Sequence, residues 1–136
     1  MTLKIDIMKS AGGKCRIELR GRLDSLTAPL LDEKLESIDA WSCPFQVVDL
    51  THLDYISSAG LRSLFRAKKA AAGKGGELVL AHPQAQVQKV FDVMKAIPNQ
   101  DIFTSERELD DYLDAIQRKT VAQGRQQNTP EQPQRY

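Results

Sequence analysis

Two kinds of apolar pattern alternate in the middle of the chain, and this alternation restricts the fold more than any other feature. Residues 45–50 form a short apolar run with β-branched side chains, typical of a strand covered on both faces. Apolar residues then recur at helical spacing, which predicts a helix with Leu61 and Phe65 in the core. A second apolar run follows at residues 78–80. A strand, a helix and a strand in this order predict two parallel strands.

The flanking sequence adds strands and helices of the same kinds. Residues 3–7 and 15–19 alternate apolar and polar side chains on either side of Gly12-Gly13, which predicts a hairpin. Capping residues predict three helix starts, at Ser25 or Thr27, at Ser57 or Ser58, and at Ser105. The apolar stripe at 87–94 predicts a further helix.

The predicted fold class is therefore α/β, with a mixed sheet covered by about four helices. The sheet has four strands, or five if residues 102–104 form a short edge strand. From Lys119 onward the sequence contains almost no apolar residues, so we expect a single domain over 1–118 and a disordered tail over 119–136.

Charge and hydropathy exclude several classes of protein. The formal net charge is +1, from 19 basic and 18 acidic residues, which disfavours direct nucleic-acid binding. No apolar run approaches the length of a membrane-spanning helix, and the N-terminus lacks the apolar block of a signal peptide. We therefore expect a cytoplasmic protein without membrane insertion.

Neither the cysteines nor the histidines predict a special site. Cys15 lies in a strand-like alternation and is expected to be a small buried hydrophobe, whereas Cys43 is expected to be an unreactive loop thiol. Two cysteines are too few for a disulfide framework. His52 and His82 have no cysteines at matching spacing, so no metal site is expected.

Two adjacent serines, Ser57 and Ser58, stand where an apolar strand gives way to a helix. A serine at a helix start is expected to have an exposed hydroxyl next to unpaired main-chain N–H groups. Such a position suits a helix cap, and it also suits a phosphate. The sequence pattern alone leaves both roles open.

Three segments resemble the STAS domains, the family of anti-sigma factor antagonists. Gly-Arg-Leu-Asp at 21–24 is similar to the family's Gly-x-Leu-Asp after the second strand, and Val-Val-Asp-Leu at 47–50 to its central strand. Ile-Ser-Ser-Ala-Gly-Leu at 56–61 is similar to the signature loop. The resemblance runs from the first strand to the last helix, and it departs from the pattern where Ser57 replaces an aspartate.

The resemblance implies a partner switch. The chain would bind an anti-sigma factor with serine kinase activity and so release a sigma factor. Phosphorylation of the loop serine would break the complex, and a serine phosphatase would restore it. The phosphoacceptor would be Ser58, with Ser57 as the alternative.

Five residues are expected to bind the partner: Asp24, Ser57, Ser58, Gly60 and Arg62. Each has a plainer explanation. Asp24 and the serines can cap helices, Gly60 can be required by packing under the sheet, and Arg62 can be a solvated surface arginine.

Two other functions compete with the switch. A STAS module that is never phosphorylated, such as a scaffold or a transporter-associated subunit, is one, because such modules often have a changed loop. An enzyme is disfavoured, since no phosphate-binding loop, nucleophile elbow or dinucleotide fingerprint is present. We therefore expect no catalytic residues and no cofactor.

Overall fold

A computed structural model describes residues 2–38, 42–96, 103 and 105–127, without the side chains of 125–127. Of the predicted edge strand over 102–104, residues 102 and 104 lie outside the described part, and Phe103 is in a bend. The elements, in chain order, are β1 (Leu3–Ser10), β2 (Lys14–Leu23), α1 (Ala28–Glu36), β3 (Phe45–Ile56), α2 (Ser58–Gly73), β4 (Glu77–Ala81), α3 (Ala85–Ala96) and α4 (Glu106–Gln127).

The four strands form one mixed sheet in the order β1-β2-β3-β4. β1 and β2 are antiparallel, which confirms the predicted hairpin. β3 is parallel to both β2 and β4, which confirms the parallel pairs predicted from the alternation of strands and helices. Together with the four helices of the described chain, this sheet confirms the predicted α/β class.

β3 is longer than its apolar run. It continues beyond Leu50 to Ile56, because β2 pairs with it as far as Leu23 opposite Ile56. In this extension Thr51, His52 and Asp54 are exposed, whereas Leu53 and Ile56 are buried. These two are three residues apart, and the pairing with β2 shifts register between Leu53 and Tyr55, as at a β-bulge. The ends of β2 and β3 thus lie side by side, directly before α2.

The core of the sheet consists of alternate strand residues, and α1 and α2 pack beside it. Lys68 of α2 donates a hydrogen bond from Nζ to the carbonyl of Leu78 at 3.1 Å, and Arg66 pairs with Asp32 of α1 at 3.0 Å. Phe65 was expected in the core, yet it is 46% exposed. The fully buried side chains of the strands include Ile17, Leu19, Leu23, Val48, Leu50 and Leu53.

Cys15 and Cys43 are joined by a disulfide, with their Cα atoms 5.7 Å apart. Cys15 is buried, as expected, but Cys43 is also buried and is bonded rather than a free loop thiol. Because Cys15 and Cys43 are 28 residues apart in sequence, their proximity in the fold cannot be seen from the sequence. Parallel pairing of Lys14 with Phe45 brings the start of β2 beside the segment that leads into β3.

The chain divides into two compact units, and the boundary lies after Gln84. In the second unit α3 packs against α4, and the buried apolar residues are Val87, Val90, Phe91, Leu109 and Leu113. The expected domain end at 118 falls inside α4, which continues to Gln127. The expectation of a disordered tail is therefore wrong for residues 119–127, and residues 128–136 lie outside the described part. Within that part, no helix is long and apolar enough to cross a membrane.

Candidate functional site

Ser57 connects the end of β3 to α2 and caps that helix. Its Oγ accepts a hydrogen bond from the N–H of Gly60 at 3.2 Å, which satisfies one of the donors that a helix start leaves unpaired. Its own N–H donates to the carbonyl of Leu23 at 2.9 Å. The side chain of Ser57 therefore fixes the first turn of α2, while its main chain attaches that turn to the end of β2.

Ser58 is the first residue of α2, and the capping role belongs to its neighbour. Ser58 is only 3% exposed and Ser57 only 4%. The expectation of exposed hydroxyls is therefore wrong. At Ser57 the cause is the contact with Leu23 and Gly60, which holds the first helical turn against the end of β2.

Gly60 lies where two elements approach too closely for a side chain. A Cβ built there would stand 2.7 Å from Cγ and 2.8 Å from the carbonyl oxygen of Leu23, and 3.1 Å from Cγ1 of Ile56. Ordinary Cβ contacts are longer than these distances. The packing explanation of Gly60 is thus supported directly by the geometry.

Asp24 stabilises the turn that leads into α1. Its Oδ1 accepts from the N–H groups of Leu26 at 3.0 Å and Thr27 at 3.1 Å, and its main-chain carbonyl accepts from the N–H of Ala28 at 2.8 Å. Its Oδ2 lies 3.7 Å from Nε of Arg22. These bonds fix the turn before α1, whose N-cap residue is Thr27, so Asp24 supports the helix start without being its cap. Leu26 beside it is 84% exposed.

The structure brings most of the predicted residues together around one residue, Leu23, through its main chain and its side chain. Ser57 and Gly60 contact Leu23 directly, Ser58 lies between them in sequence, and Asp24 follows Leu23. Arg62 lies one turn further into α2 and is exposed. Sequence reasoning did not name Leu23 as a site residue, although it is the third residue of the Gly-Arg-Leu-Asp segment.

The ends of β2 and β3 next to α2 have a second feature that the sequence did not predict. The guanidinium of Arg22 stacks on the ring of Tyr55, 3.9 Å from its centroid. These two residues face each other because β2 and β3 remain paired there. No periodicity along the chain indicates such a contact between strands.

Asp49 is a buried carboxylate in β3, 4% exposed, and it is well paired. Burial alone would raise its pKa. Hydrogen bonds from the hydroxyl and the N–H of Thr51, with the adjacent guanidinium of Arg16, outweigh that effect and hold the pKa of Asp49 below its ordinary value. The site therefore stabilises a negative charge inside the sheet. No group of three or more metal-ligating side chains occurs in the described residues.

Comparison with known proteins agrees with this geometry. The family model of the STAS domain matches residues 7–109, which is most of the chain. The chain belongs to the STAS domain family. The match includes β2, β3 and the whole first turn of α2.

A curated relative is BtrV of Bordetella bronchiseptica, named as a candidate anti-sigma factor antagonist. The two sequences are 37% identical over 75 residues, which is 55% of this chain. The aligned segment spans 65% of the length of BtrV, so the whole activity of that protein does not follow for this chain.

Solved structures show the same fold. The unphosphorylated anti-sigma factor antagonist SpoIIAA matches with a TM-score of 0.56 and 18% identity, over 65% of this chain and 82% of SpoIIAA. An anti-sigma factor antagonist from Mycobacterium paratuberculosis matches with a TM-score of 0.56 and 21% identity, over 74% of this chain and 89% of that one. At such identities the likeness concerns the fold alone. The STAS fold of this chain is that of anti-sigma factor antagonists.

Proposed function

We propose that this chain is a cytoplasmic anti-sigma factor antagonist. It binds an anti-sigma factor that has serine kinase activity, and the sigma factor is thereby released. Phosphorylation of Ser58 ends the complex, and a serine phosphatase restores it. The observation that carries the proposal is the division of roles in the first turn of α2, where Ser57 is the cap and Ser58 is the first helical residue.

Besides the kinase and the phosphatase, the two reactions consume only ATP and water. Oγ of Ser58 attacks the γ-phosphorus of ATP, a new O–P bond forms, and the bond to the bridging oxygen of ADP breaks. The hydroxyl proton passes to a base of the kinase. In the separate reaction of the phosphatase, water attacks the phosphorus, a new O–P bond forms and the bond from Oγ of Ser58 to phosphorus breaks. Oγ regains a proton, and inorganic phosphate is released.

A phosphate on Ser58 has a charge that suits the start of α2, although the hydroxyl that carries it is buried in the unmodified chain. It adds about −1.5 to −2 charge at the positive end of the α2 dipole, where anions are stabilised. The partner complex responds differently, because it has to desolvate this charge or place it opposite carboxylates. An unpaired buried charge costs about 3–5 kcal/mol. The switch therefore weakens the complex without unfolding the chain.

The test is to isolate the partner and then to locate the phosphate. A tagged chain is used to co-purify its partner, and the complex is incubated with ATP and Mg²⁺. After reduction of the disulfide, trypsin releases residues 35–62 as one peptide, which contains both serines. In tandem mass spectrometry, phosphate on the fragment 58–62 assigns Ser58. Phosphate that appears only on the fragment 57–62 assigns Ser57.

The second candidate is a STAS scaffold or transporter-associated subunit that is never phosphorylated. The observation that favours it is the near-complete burial of both serines, together with a serine where the family has an aspartate. It predicts a co-purified partner without kinase activity and an unmodified peptide 35–62. The same experiment therefore separates the two functions.

A further inference from the structure

The proposed switch conflicts with one property of the folded chain. A kinase must reach the Oγ atom of Ser58, yet Ser58 is 3% exposed and Ser57 4%. Exposed serines occur elsewhere in the first unit, for example Ser25 and Ser37. The burial of Ser57 and Ser58 is therefore specific to the start of α2 and is not shared by all serines of this unit.

Three local contacts hold the first turn of α2 closed. The N–H of Ser57 donates to the carbonyl of Leu23 at 2.9 Å, and Oγ of Ser57 accepts from the N–H of Gly60 at 3.2 Å. The absence of a Cβ at Gly60 lets this turn approach Leu23 closely. We call the set Leu23, Ser57, Ser58 and Gly60 the serine gate.

We propose that the serine gate must open before Ser58 can be phosphorylated, so that modification depends on a minor, open state of the chain. In that state the bond from Ser57 to Leu23, the cap bond from Gly60 to Oγ of Ser57 and the contact of Gly60 with Leu23 are all broken. The contacts involve only the ends of β2 and β3 and one helical turn, so they can separate without global unfolding. The rate of phosphorylation is then the intrinsic rate multiplied by the open fraction. The inference rests on the proposed function and adds a regulatory step to it.

The two cysteines of the chain allow a direct measurement of opening. They are joined in a disulfide, so Ser58→Cys introduces a single free thiol. Its rate of reaction with a chromogenic disulfide reagent is compared with that of Ser25→Cys, which is exposed, and the wild-type chain sets the blank. If the open state has the usual population of a minor conformer, S58C reacts roughly 10- to 1000-fold more slowly than S25C. Equal rates for the two thiols would overturn the inference.

A second variant tests whether the cap controls opening. Ser57→Ala removes the hydrogen bond to Gly60 and should raise the labelling rate of S58C about fivefold, the effect of a lost N-cap. The matched control is Ser105→Ala, since Oγ of Ser105 accepts from the N–H of Glu108 at 3.1 Å in the same way at the start of α4. S105A should leave the rate unchanged. An unchanged rate in S57A, or an equal increase in S105A, contradicts the gate.

Phosphorylation by the co-purified kinase keeps the two proposals distinguishable. With the gate as the limiting step, S57A is phosphorylated on Ser58 several-fold faster than the wild type. Equal phosphorylation rates overturn the gate but leave the proposed function intact. If neither chain is phosphorylated while S57A still accelerates thiol labelling, the proposed function fails, and with it the role of the gate in phosphorylation, whereas the opening of the turn itself is supported.

Discussion

A methyl group on Gly60 would lie 2.8 Å from the carbonyl oxygen of Leu23. The main chain of Leu23 cannot move away from this methyl group as the end of a flexible side chain could. Gly60→Ala should therefore destabilise the chain by about 1–3 kcal/mol, which is the usual cost of overpacking. The midpoint of urea unfolding measures the change.

The control for this variant lies in the same helix. Gly73 is the last residue of α2, and a Cβ there meets nothing within 4 Å. Gly73→Ala should be neutral or stabilise by up to about 1 kcal/mol, because alanine favours helix over glycine. Equal destabilisation by both variants would show that the close approach to Leu23 is not what requires Gly60.

Asp24→Asn separates stabilisation of the turn before α1 from partner binding. The amide oxygen of asparagine can still accept from Leu26 and Thr27, so the free energy of unfolding should change by less than about 0.5 kcal/mol. Asp24→Ala loses these bonds and should cost about 1–2 kcal/mol. If the carboxylate contacts the anti-sigma factor, D24N weakens binding in a pull-down or calorimetric titration. Wild-type affinity of D24N would leave stabilisation of the turn as the role of Asp24.

Ser58→Asp should reduce the affinity for the anti-sigma factor several-hundred-fold or more. The reason is the roughly 3–5 kcal/mol cost of an unpaired charge in the interface. Ser105→Asp introduces the same charge at the N-terminus of α4 and serves as the control. Titration calorimetry compares both variants with the wild type. Undiminished binding of S58D, or an equal loss in S105D, rejects the proposed switch.

Asp49 should make the stability of the chain depend on pH in the acid range. Because its folded pKa is lowered, the stabilisation is present above its unfolded value of 3.8 and is lost as the pH falls through the lower folded value. Asp49→Asn should cost about 1–3 kcal/mol near neutral pH, as expected for hydrogen bonds to a charged group. The difference between the two chains should shrink below about pH 4. A difference that stays constant down to pH 2 would contradict this account.

Reduction of the disulfide between Cys15 and Cys43 should lower the free energy of unfolding by about 3–4 kcal/mol. This is the chain-entropy value for cysteines separated by 28 residues. Urea unfolding with and without a dithiol reductant measures the change, and a Cys15→Ala/Cys43→Ala chain should not respond to the reductant. Disulfides are rare in the cytosol, so the reduced chain is also the relevant reference for a cytoplasmic function.

Periodicity predicted the order of strands and helices well, because it depends on residues close in sequence. The capping residues also predicted the starts of α1, α2 and α4. The length of β3 was underestimated, since exposed polar residues interrupt the apolar ones in its last part, which remains in the sheet by pairing with β2.

The candidate site was predicted less completely than the fold. The motif residues do lie near one another, but the burial of Ser57 and Ser58 depends on packing that no local pattern encodes. The same applies to the pairing of Cys15 with Cys43, which parallel strands bring together. Phe65 has the spacing of a core residue and is nevertheless half exposed, because helical spacing does not reveal how far a covering element extends.

The bond between Cys15 and Cys43 has a topological consequence. It closes a covalent ring that contains most of β2, all of α1 and Asp24, whereas Ser57 and Ser58 lie outside it. A single proteolytic cut inside the ring leaves one covalently continuous molecule. A cut at the serine turn divides the molecule in two even when the bond is intact. Along the covalent chain, α2, the helix that would carry the phosphate, is thus connected to the ring through β3 alone.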